Sequence, residues 1–504
     1  VYVASTLRGI SEIDPVSGSL RGLFRLPEGT VLLDSFFERQ RWLWLTTTDG
    51  VWRYDLMGTG VRRIARDASD RFSLSGNYVT CAFVDDGGGV WLGTKDGGVN
   101  WSGLAQTNFR KHYTASGVSL EGCIVSGFAE ESTSKVWVTT EQAGLLLWNP
   151  ETSDVQRVST PGIPTMVFSP CIDGNYLWFG SLHGLYRLDI RTHTLKSYGV
   201  LRKKSGRNDN KVYLVHRTKS GDIYAGTTLG LFEYDRGNDH FEDTGTFDGV
   251  FVTSMDEDAK GNLWLSSFAS GIYRWNPSNG EILHLSYGDG LPDNKVASVC
   301  VDAGGRVWAI GFSHGFSEYI PETGKFSTYN SSRFPSLPSD VFFRGVEDRS
   351  GCLWLASDSG LVQFNPETYG LRLYTEIEGL LDTKLTNSAL RLSSGELCFG
   401  SDNGFISFSP KRLRTGGHPD IIISRLHVGD AAVTTDDNLD LLDDIRLDYD
   451  QNSFGFDFSV PDMSAASSSW LQCRLKGYDS QWRDISVSRS AFWYSVPAGT
   501  YTLE

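Results

Sequence analysis

Apolar residues in this chain come in short runs, broken by Gly, Asp, Asn and Ser, and one phrase keeps returning. It is an aliphatic residue, an aromatic, an aliphatic, small residues, a glycine turn and a second apolar run. It reads Leu43-Trp44-Leu45 with Gly50, Val90-Trp91-Leu92-Gly93-Thr94 with Gly97-Gly98, and Val136-Trp137-Val138 with Gly144. It returns as Leu177-Trp178-Phe179-Gly180 with Gly184, Ile223-Tyr224-Ala225-Gly226-Thr227 with Gly230, and Leu263-Trp264-Leu265 with Gly271. Val307-Trp308-Ala309 with Gly315, Leu353-Trp354-Leu355 with Gly360 and Leu397-Cys398-Phe399-Gly400 with Gly404 follow, and Val1-Tyr2-Val3 with Gly9 stands at the front. Over the nine intervals from position 2 to position 398 the mean spacing is 44 residues. Helical repeats would space their apolar residues by three and four; these runs are short, β-branched and aromatic, which predicts strands.

A period of about 40–50 residues is that of a four-stranded propeller blade. One unit shows the phase: Val296–Asp302 as inner strand, Val307–Gly311 as second, Phe316–Ile320 as third and Lys325–Tyr329 as outer. The periodic Trp is expected to pack between neighbouring blades. After Pro410 the rhythm stops. Lys411 to Gly417 is a basic connector, and Ile421–Leu426, Ile445–Tyr449, Phe454–Ser459, Leu471–Leu475 and the run around Tyr494 read as strands of an immunoglobulin-like sandwich. The chain opens and closes inside strand-like runs, without an initiator Met and with the last strand of the sandwich expected to be missing. It is read as a piece of something longer.

Composition agrees with many strands and tight turns. Glycine is 55 of 504 residues, aromatics are 12%, and Met is only 4. A formal charge of −15 sets the surface against phosphate backbones, so no nucleic-acid partner is expected. No stretch reaches the roughly 18 apolar residues of a membrane helix. The seven cysteines, Cys81, Cys123, Cys171, Cys300, Cys352, Cys398 and Cys473, lack a CxxC pair and are read as buried free thiols.

A search for chemistry finds no nucleophile elbow, zinc-binding HExxH, phosphate-cradling loop or EF-hand. The nine histidines form no metal-like pair, so neither metal nor cofactor is expected. The acidic pairs Asp85-Asp86, Glu130-Glu131 and Asp443-Asp444 read as solvated turns. Carboxylates about 5–9 Å apart would suit glycoside hydrolysis, but nothing in the sequence singles out such a pair.

The phrases Val90-Trp91-Leu92-Gly93-Thr94-Lys95-Asp96-Gly97-Gly98-Val99 and Leu361-Val362-Gln363-Phe364-Asn365-Pro366 resemble the regulator-propeller repeat of hybrid two-component regulators from gut Bacteroidetes. The tail, Leu475-Lys476-Gly477-Tyr478-Asp479-Ser480-Gln481-Trp482 with Tyr494-Ser495-Val496-Pro497-Ala498-Gly499-Thr500-Tyr501, resembles the triple-tyrosine module that follows those propellers. In that family two seven-bladed propellers precede the sandwich, a membrane helix and a cytoplasmic histidine kinase. Ten repeats and no kinase depart from that pattern. The resemblance implies the last three blades of a truncated propeller over 1–114, a seven-bladed propeller over 115–410, a linker over 411–419 and the sandwich over 420–504. A single ten-bladed ring remains the alternative.

In a propeller, loops joining second to third strands share one face with loops joining each outer strand to the next inner strand. The first set offers Lys95, Asp96, Glu141, Gln142, His183, Phe268, His314, Asp358, Asp402 and Asn403. The second holds the basic run Leu201 to Asn210, where Arg202 and Arg207 suit a sulfate or carboxylate and Asn210 an amide contact. Arg344 lies inside an inner strand, where a charge facing the channel needs a partner. Asn294 and Asn387 offer amides suited to sugar hydroxyls. The expected function is an extracytoplasmic sensor that binds an oligosaccharide and signals through a sandwich-mediated homodimer to a membrane-linked kinase, with no catalysis in this portion. The alternatives are a propeller glycoside hydrolase or lyase, and a protein-interaction scaffold.

Overall fold

The structure, a computed structural model, describes the chain except residues 1, 6–8, 39–40, 58–59, 69, 86–87, 104–107, 200, 204–205, 207, 336, 414–420, 430, 434–438, 440–441, 443, 461–470 and 487. It separates into two compact units, one built mainly of Val1–Gln106, the other of Thr107–Arg414, Ile423–Ser459 and Ser467–Glu504.

The first unit holds three antiparallel sheets. Tyr2–Ser5, Gly9–Ile13 and Leu20–Phe24 form one, Leu32–Glu38 through Val61–Ile64 a four-stranded second, and Val79–Val84, Val90–Thr94 and Gly98–Ser102 the third.

The second unit contains a ring of seven four-stranded sheets. Their inner strands are Val125–Ser132, Phe168–Asp173, Val212–Arg217, Val252–Glu257, Val296–Val301, Phe342–Glu347 and Leu385–Arg391, in blades 1 to 7. Each inner strand packs on the next, and the seventh packs back on the first. Thr386 Oγ1 and Ser388 Oγ of blade 7 donate to the Val125 carbonyl of blade 1, at 2.7 and 2.9 Å. The ring therefore takes seven sheets and not ten. Its last strand comes from upstream of 115: Arg110–His112 pairs with Gly404–Phe408 as the outer strand of blade 7.

Most blades repeat the same local chemistry. The marker aromatic packs onto the following blade, as Trp178 on Tyr234 (4.7 Å between ring centroids), Trp264 on Tyr319 (5.5 Å), Trp308 on Phe364 (5.8 Å) and Trp354 on Phe408 (4.9 Å). Burying an indole strands its N–H unless an acceptor comes with it. In five repeats an acid six residues earlier supplies it: Asp85 for Trp91, Glu131 for Trp137, Asp258 for Trp264, Asp302 for Trp308 and Asp348 for Trp354, at 2.8–3.2 Å, whereas Trp178 Nε1 is buried with no partner among the described residues. Of the acidic turns read as solvated, Asp85 and Glu131 instead hold indoles and Glu130 accepts from the Ser393 backbone and hydroxyl, while Asp444 is exposed as expected. Asp86 and Asp443 lie outside the described residues.

At the end of most second strands a Thr or Ser hydroxyl donates to the carbonyl of the turn glycine, as Thr140 to Gly144 (3.0 Å) and Ser357 to Gly360 (2.7 Å). Gly404 shows why that glycine is needed: φ is +114°, and a Cβ would stand 2.2 Å from the His112 carbonyl oxygen.

After the ring, Ala431–Val433, Ile422–Val428, Phe454–Ser459 and Ser490–Trp493 form a four-stranded sheet. Two short ladders join Gln472–Cys473 to Arg483–Asp484 and Leu475–Lys476 to Thr502–Leu503. The strand expected over 445–449 is absent: that stretch is irregular, and Tyr449 is 93% exposed, so its alternating pattern has no sheet face to bury against. Six of the seven cysteines are buried as expected, but Cys81 is exposed. No described helix is long and apolar enough to cross a membrane.

Candidate functional site

The antiparallel pairing puts the start of each inner strand beside the turn between second and third strands, for example Val252 opposite Ser267. Both therefore line the same mouth of the ring. Every inner strand of the ring also carries a register shift there, between Val125 and Gly127, Val212 and Leu214, Val252 and Ser254, Phe342 and Arg344, and at the matching places of the other blades. A bulge re-aims one side chain out of the pleat. Where that residue is small and hydroxylated it ties blades together: Ser126 donates to Val167 O (2.5 Å) and Thr253 to Val296 O (2.9 Å).

Where it is large, it joins an arc of aromatic rings around the mouth. Phe168 contacts Tyr213 (5.3 Å), Tyr213 contacts Phe251 (5.0 Å), and Phe251 contacts Phe268 (5.8 Å). Phe268 contacts Phe312 (5.8 Å), which contacts Phe343 (6.3 Å). Six rings from blades 2 to 6 make one chain. Phe268 is exposed and the other five are half-buried. Only Phe268 was legible in the sequence. The signal that finds Phe168, Tyr213, Phe251 and Phe343 is an aromatic at the entry of an inner strand, repeated at the blade period, while Phe312 holds the same turn place as Phe268.

Blades 7 and 1 complete the mouth with polar groups. Glu141 is half-buried; burial and then the charge of Asp402 hold its carboxyl above the usual range. Asp402 is raised by burial and by Asp382. Asn403 donates to Asp382 at 2.5 Å and accepts from the Gly122 amide at 2.9 Å, while Gln142 accepts from the Ile124 amide at 2.8 Å.

The remaining expected residues are placed as follows. Lys95 and Asp96 are exposed but belong to the first unit, with Lys95 Nζ 5.1 Å from the Tyr78 ring centre. His183, Asp358 and Asn387 are exposed, and so is Asn210. His314 is exposed and shares a 2.7 Å hydrogen bond with Ser313. Asn294 is used by the backbone: its side-chain oxygen accepts from the Tyr287 amide at 2.7 Å. Arg207 and the side chain of Arg202 lie outside the described residues. Within the same basic run Lys203 is buried, its ammonium 2.7 Å from Asp243, so one of its cations is spent on the fold.

Arg344 leaves blade 6 and crosses the channel, where Nη1 donates to Ser254 Oγ of blade 4 at 2.8 Å. The opposite mouth has a recess of about 890 Å³ lined by Glu130, Glu347, Arg349, Arg391 and Ser393. Its groups already pair across blades: Arg391 donates to Glu347 O at 2.8 Å, and Arg349 to Ser393 O. At the rim of blade 3, ligand atoms of Asp235, His240 and Glu242 lie within 4.8 Å of one another, a grouping the sequence did not reveal. Asp235 is already occupied by the amides of Gly237 and Asn238.

Comparison with known proteins agrees with the propeller reading. The two component regulator propeller profile matches residues 73–96. The chain is 24% identical over 478 residues to histidine kinase P4 of Formosa agariphila, covering 88% of this chain and 34% of that kinase. It thus spans about a third of that relative's length. The extracellular domain of a putative hybrid two component system from B. thetaiotaomicron aligns with a TM-score of 0.72 at 20% identity, over 99% of this chain and 68% of that one. The extracellular domain of a putative one component system from the same organism aligns with a TM-score of 0.53 at 20% identity, over 100% and 70%. These matches bear out the resemblance to regulator-propeller proteins.

Proposed function

We propose that this chain is the ligand-sensing, periplasmic region of a membrane-anchored two-component receptor, and that the mouth of its seven-bladed ring binds a glycan-derived oligosaccharide. The aromatic arc carries the reading. Six rings 5.0–6.3 Å apart offer a track on which the C–H faces of successive sugar units stack, while Glu141, Asp402 and Asn387 stand ready for hydroxyls. Binding is the whole task of such a mouth, and catalysis is left to a kinase on the other side of the membrane. Signalling needs two arrangements for which the ligand has different affinities. We assign their exchange to a homodimer formed through the C-terminal segment, where Tyr449, Trp482 and Tyr494 are exposed.

Calorimetric titration against a panel of plant and algal glycan fragments tests this. One fragment class is expected to bind, and Phe268→Ala or Phe312→Ala to weaken it about 3- to 10-fold, each losing a contact worth ~0.5–1.5 kcal/mol. A folded protein that binds no fragment, or an arc variant that binds unchanged, overturns the reading.

A further inference from the structure

The inner strands place Ser254 of blade 4, Ser298 of blade 5 and Arg344 of blade 6 at the same register position, each just after its bulge. Arg344 passes blade 5 to reach Ser254, so Ser298 stands beside its path. Three polar atoms in this region are shielded from solvent and have no hydrogen-bond partner in the protein: Arg344 Nε, Ser298 Oγ and His216 Nε2. Ser298 is fully buried. Among the described residues no carboxylate lies within 4.0 Å of the Arg344 guanidinium.

A guanidinium held at the centre of a ring with an open donor is costly unless something accepts from it. Asp256, whose carboxyl feels the Arg344 charge, makes no ion pair with it. Both oxygens of Asp256 take backbone N–H groups, from Val301 (2.8 Å) and Glu257 (2.8 Å), and burial raises its pKa despite the Arg344 charge. His216 is held neutral, its pKa lowered to about 4 by burial and then by Arg344. Among the described residues the channel thus holds a cation, Arg344, with no carboxylate in ion-pair contact. It opens at the mouth that carries the aromatic arc, since Phe343, the last ring of that arc, precedes Arg344 in the chain.

We propose that the channel takes one anionic group, a carboxylate or sulfate, against the exposed side of the half-buried Arg344 guanidinium. On the reading of the mouth as a sugar site, on which this refinement rests, the ligand is an acidic oligosaccharide. Its uncharged units lie on the arc and one acidic substituent reaches down the channel. Ionic hydrogen bonds to guanidinium are directional and short, so this contact selects the ligand where stacking alone does not.

Two measurements separate the inference from its premise. Crystals of the full chain soaked in sodium selenate are expected to show an anomalous peak within hydrogen-bond distance of Arg344, absent in Arg344→Gln. A peak equally strong in Arg344→Gln marks an adventitious ion only, and a water in that place in the unsubstituted protein overturns the site. By calorimetry, uronic-acid-bearing fragments are expected to bind at least about tenfold more tightly than their neutral counterparts, a charged hydrogen bond being worth ~1.5–3 kcal/mol. Arg344→Gln should erase that difference, Arg344→Lys should keep part of it, and thermal melting checks that both fold. If neutral and acidic fragments bind alike and Arg344→Gln changes neither, the inference fails and the sugar site stands. If no fragment binds while selenate sits on Arg344, the sugar reading fails and the anion site stands.

Discussion

Asp348→Ala is the sharpest test of how the blades are held. Trp354 is fully buried, and at roughly 200 Å² and ~25 cal/mol per Å² its burial is worth about 5 kcal/mol at most. That gain requires a partner for the indole N–H. Asp348 Oδ2 accepts from Trp354 Nε1 at 2.8 Å, and Oδ1 accepts from the amides of Ser350 (2.7 Å) and Cys352 (3.2 Å). Alanine strands two buried donors, Trp354 Nε1 and Cys352 N–H, at ~1–3 kcal/mol for each lost buried partner, so ~2–6 kcal/mol together. For a ring of about 300 residues each kcal/mol moves the midpoint by about 2 °C, so the expected drop is about 4–12 °C. Asn is no remedy, because its NH₂ group must face one of these donors. The assay is thermal unfolding followed by near-UV circular dichroism, run as a double-mutant cycle with Trp354→Phe. Phe removes the indole donor, so Asp348→Ala should cost at least 1 kcal/mol less, about the net worth of one hydrogen bond, in that background. A drop below 1 °C, or an equal drop in both backgrounds, refutes the reasoning.

Three further outcomes follow from the same structure. Gly404→Ala should destabilise by more than ~1 kcal/mol relative to Gly324→Ala, since both have positive φ but only at Gly404 would the Cβ meet a backbone oxygen; equal melting shifts would refute this. Iodoacetamide on the native protein should label Cys81 alone and all seven cysteines after denaturation, and peptide mass mapping showing native labelling at Cys300 or Cys398 contradicts the buried assignment. His112 has its pKa lowered from 6.5 to about 3, by burial and then by Arg110, so below pH 6.5 the unfolded chain binds a proton that the folded chain refuses. Its contribution is full above pH 6.5 and falls by ~1.4 kcal/mol per pH unit toward pH 3; melting measured from pH 7 to 5 should fall less steeply in His112→Gln, and parallel curves count against it.

The repeat was legible because most blades solve the same problem with the same residues. Marker aromatic, turn glycine and apolar flanks recur at 44-residue spacing, and in the unit read in detail the strands Val307–Gly311, Phe316–Ile320 and Lys325–Tyr329 form as expected. The acids were misread because pairing with a buried indole depends on a contact across a hairpin, not on local polarity. Ile445, Leu447 and Tyr449 alternate like a strand, yet alternation specifies a strand only where a partner edge exists. The mouth was the least legible part. Its six rings come from five blades, and each alone is an ordinary aromatic in a β-rich chain. Asn294 and Lys203 show the reverse case, polar groups in promising loops that the backbone and Asp243 had already taken.

The outer strand of blade 7 sets the order in which the ring is completed. His112 and Ser407, whose side chains meet at 3.0 Å, are 295 residues apart. A chain emerging from the ribosome exposes Arg110–His112 before any blade of the ring exists, and that strand has no edge to join until Phe405 to Ser407 have been made. Until then both edges remain open to wrong partners. Loop-closure entropy rises by only ~0.6 kcal/mol per doubling of length. The long span therefore weighs on the timing of closure far more than on the stability of the closed ring.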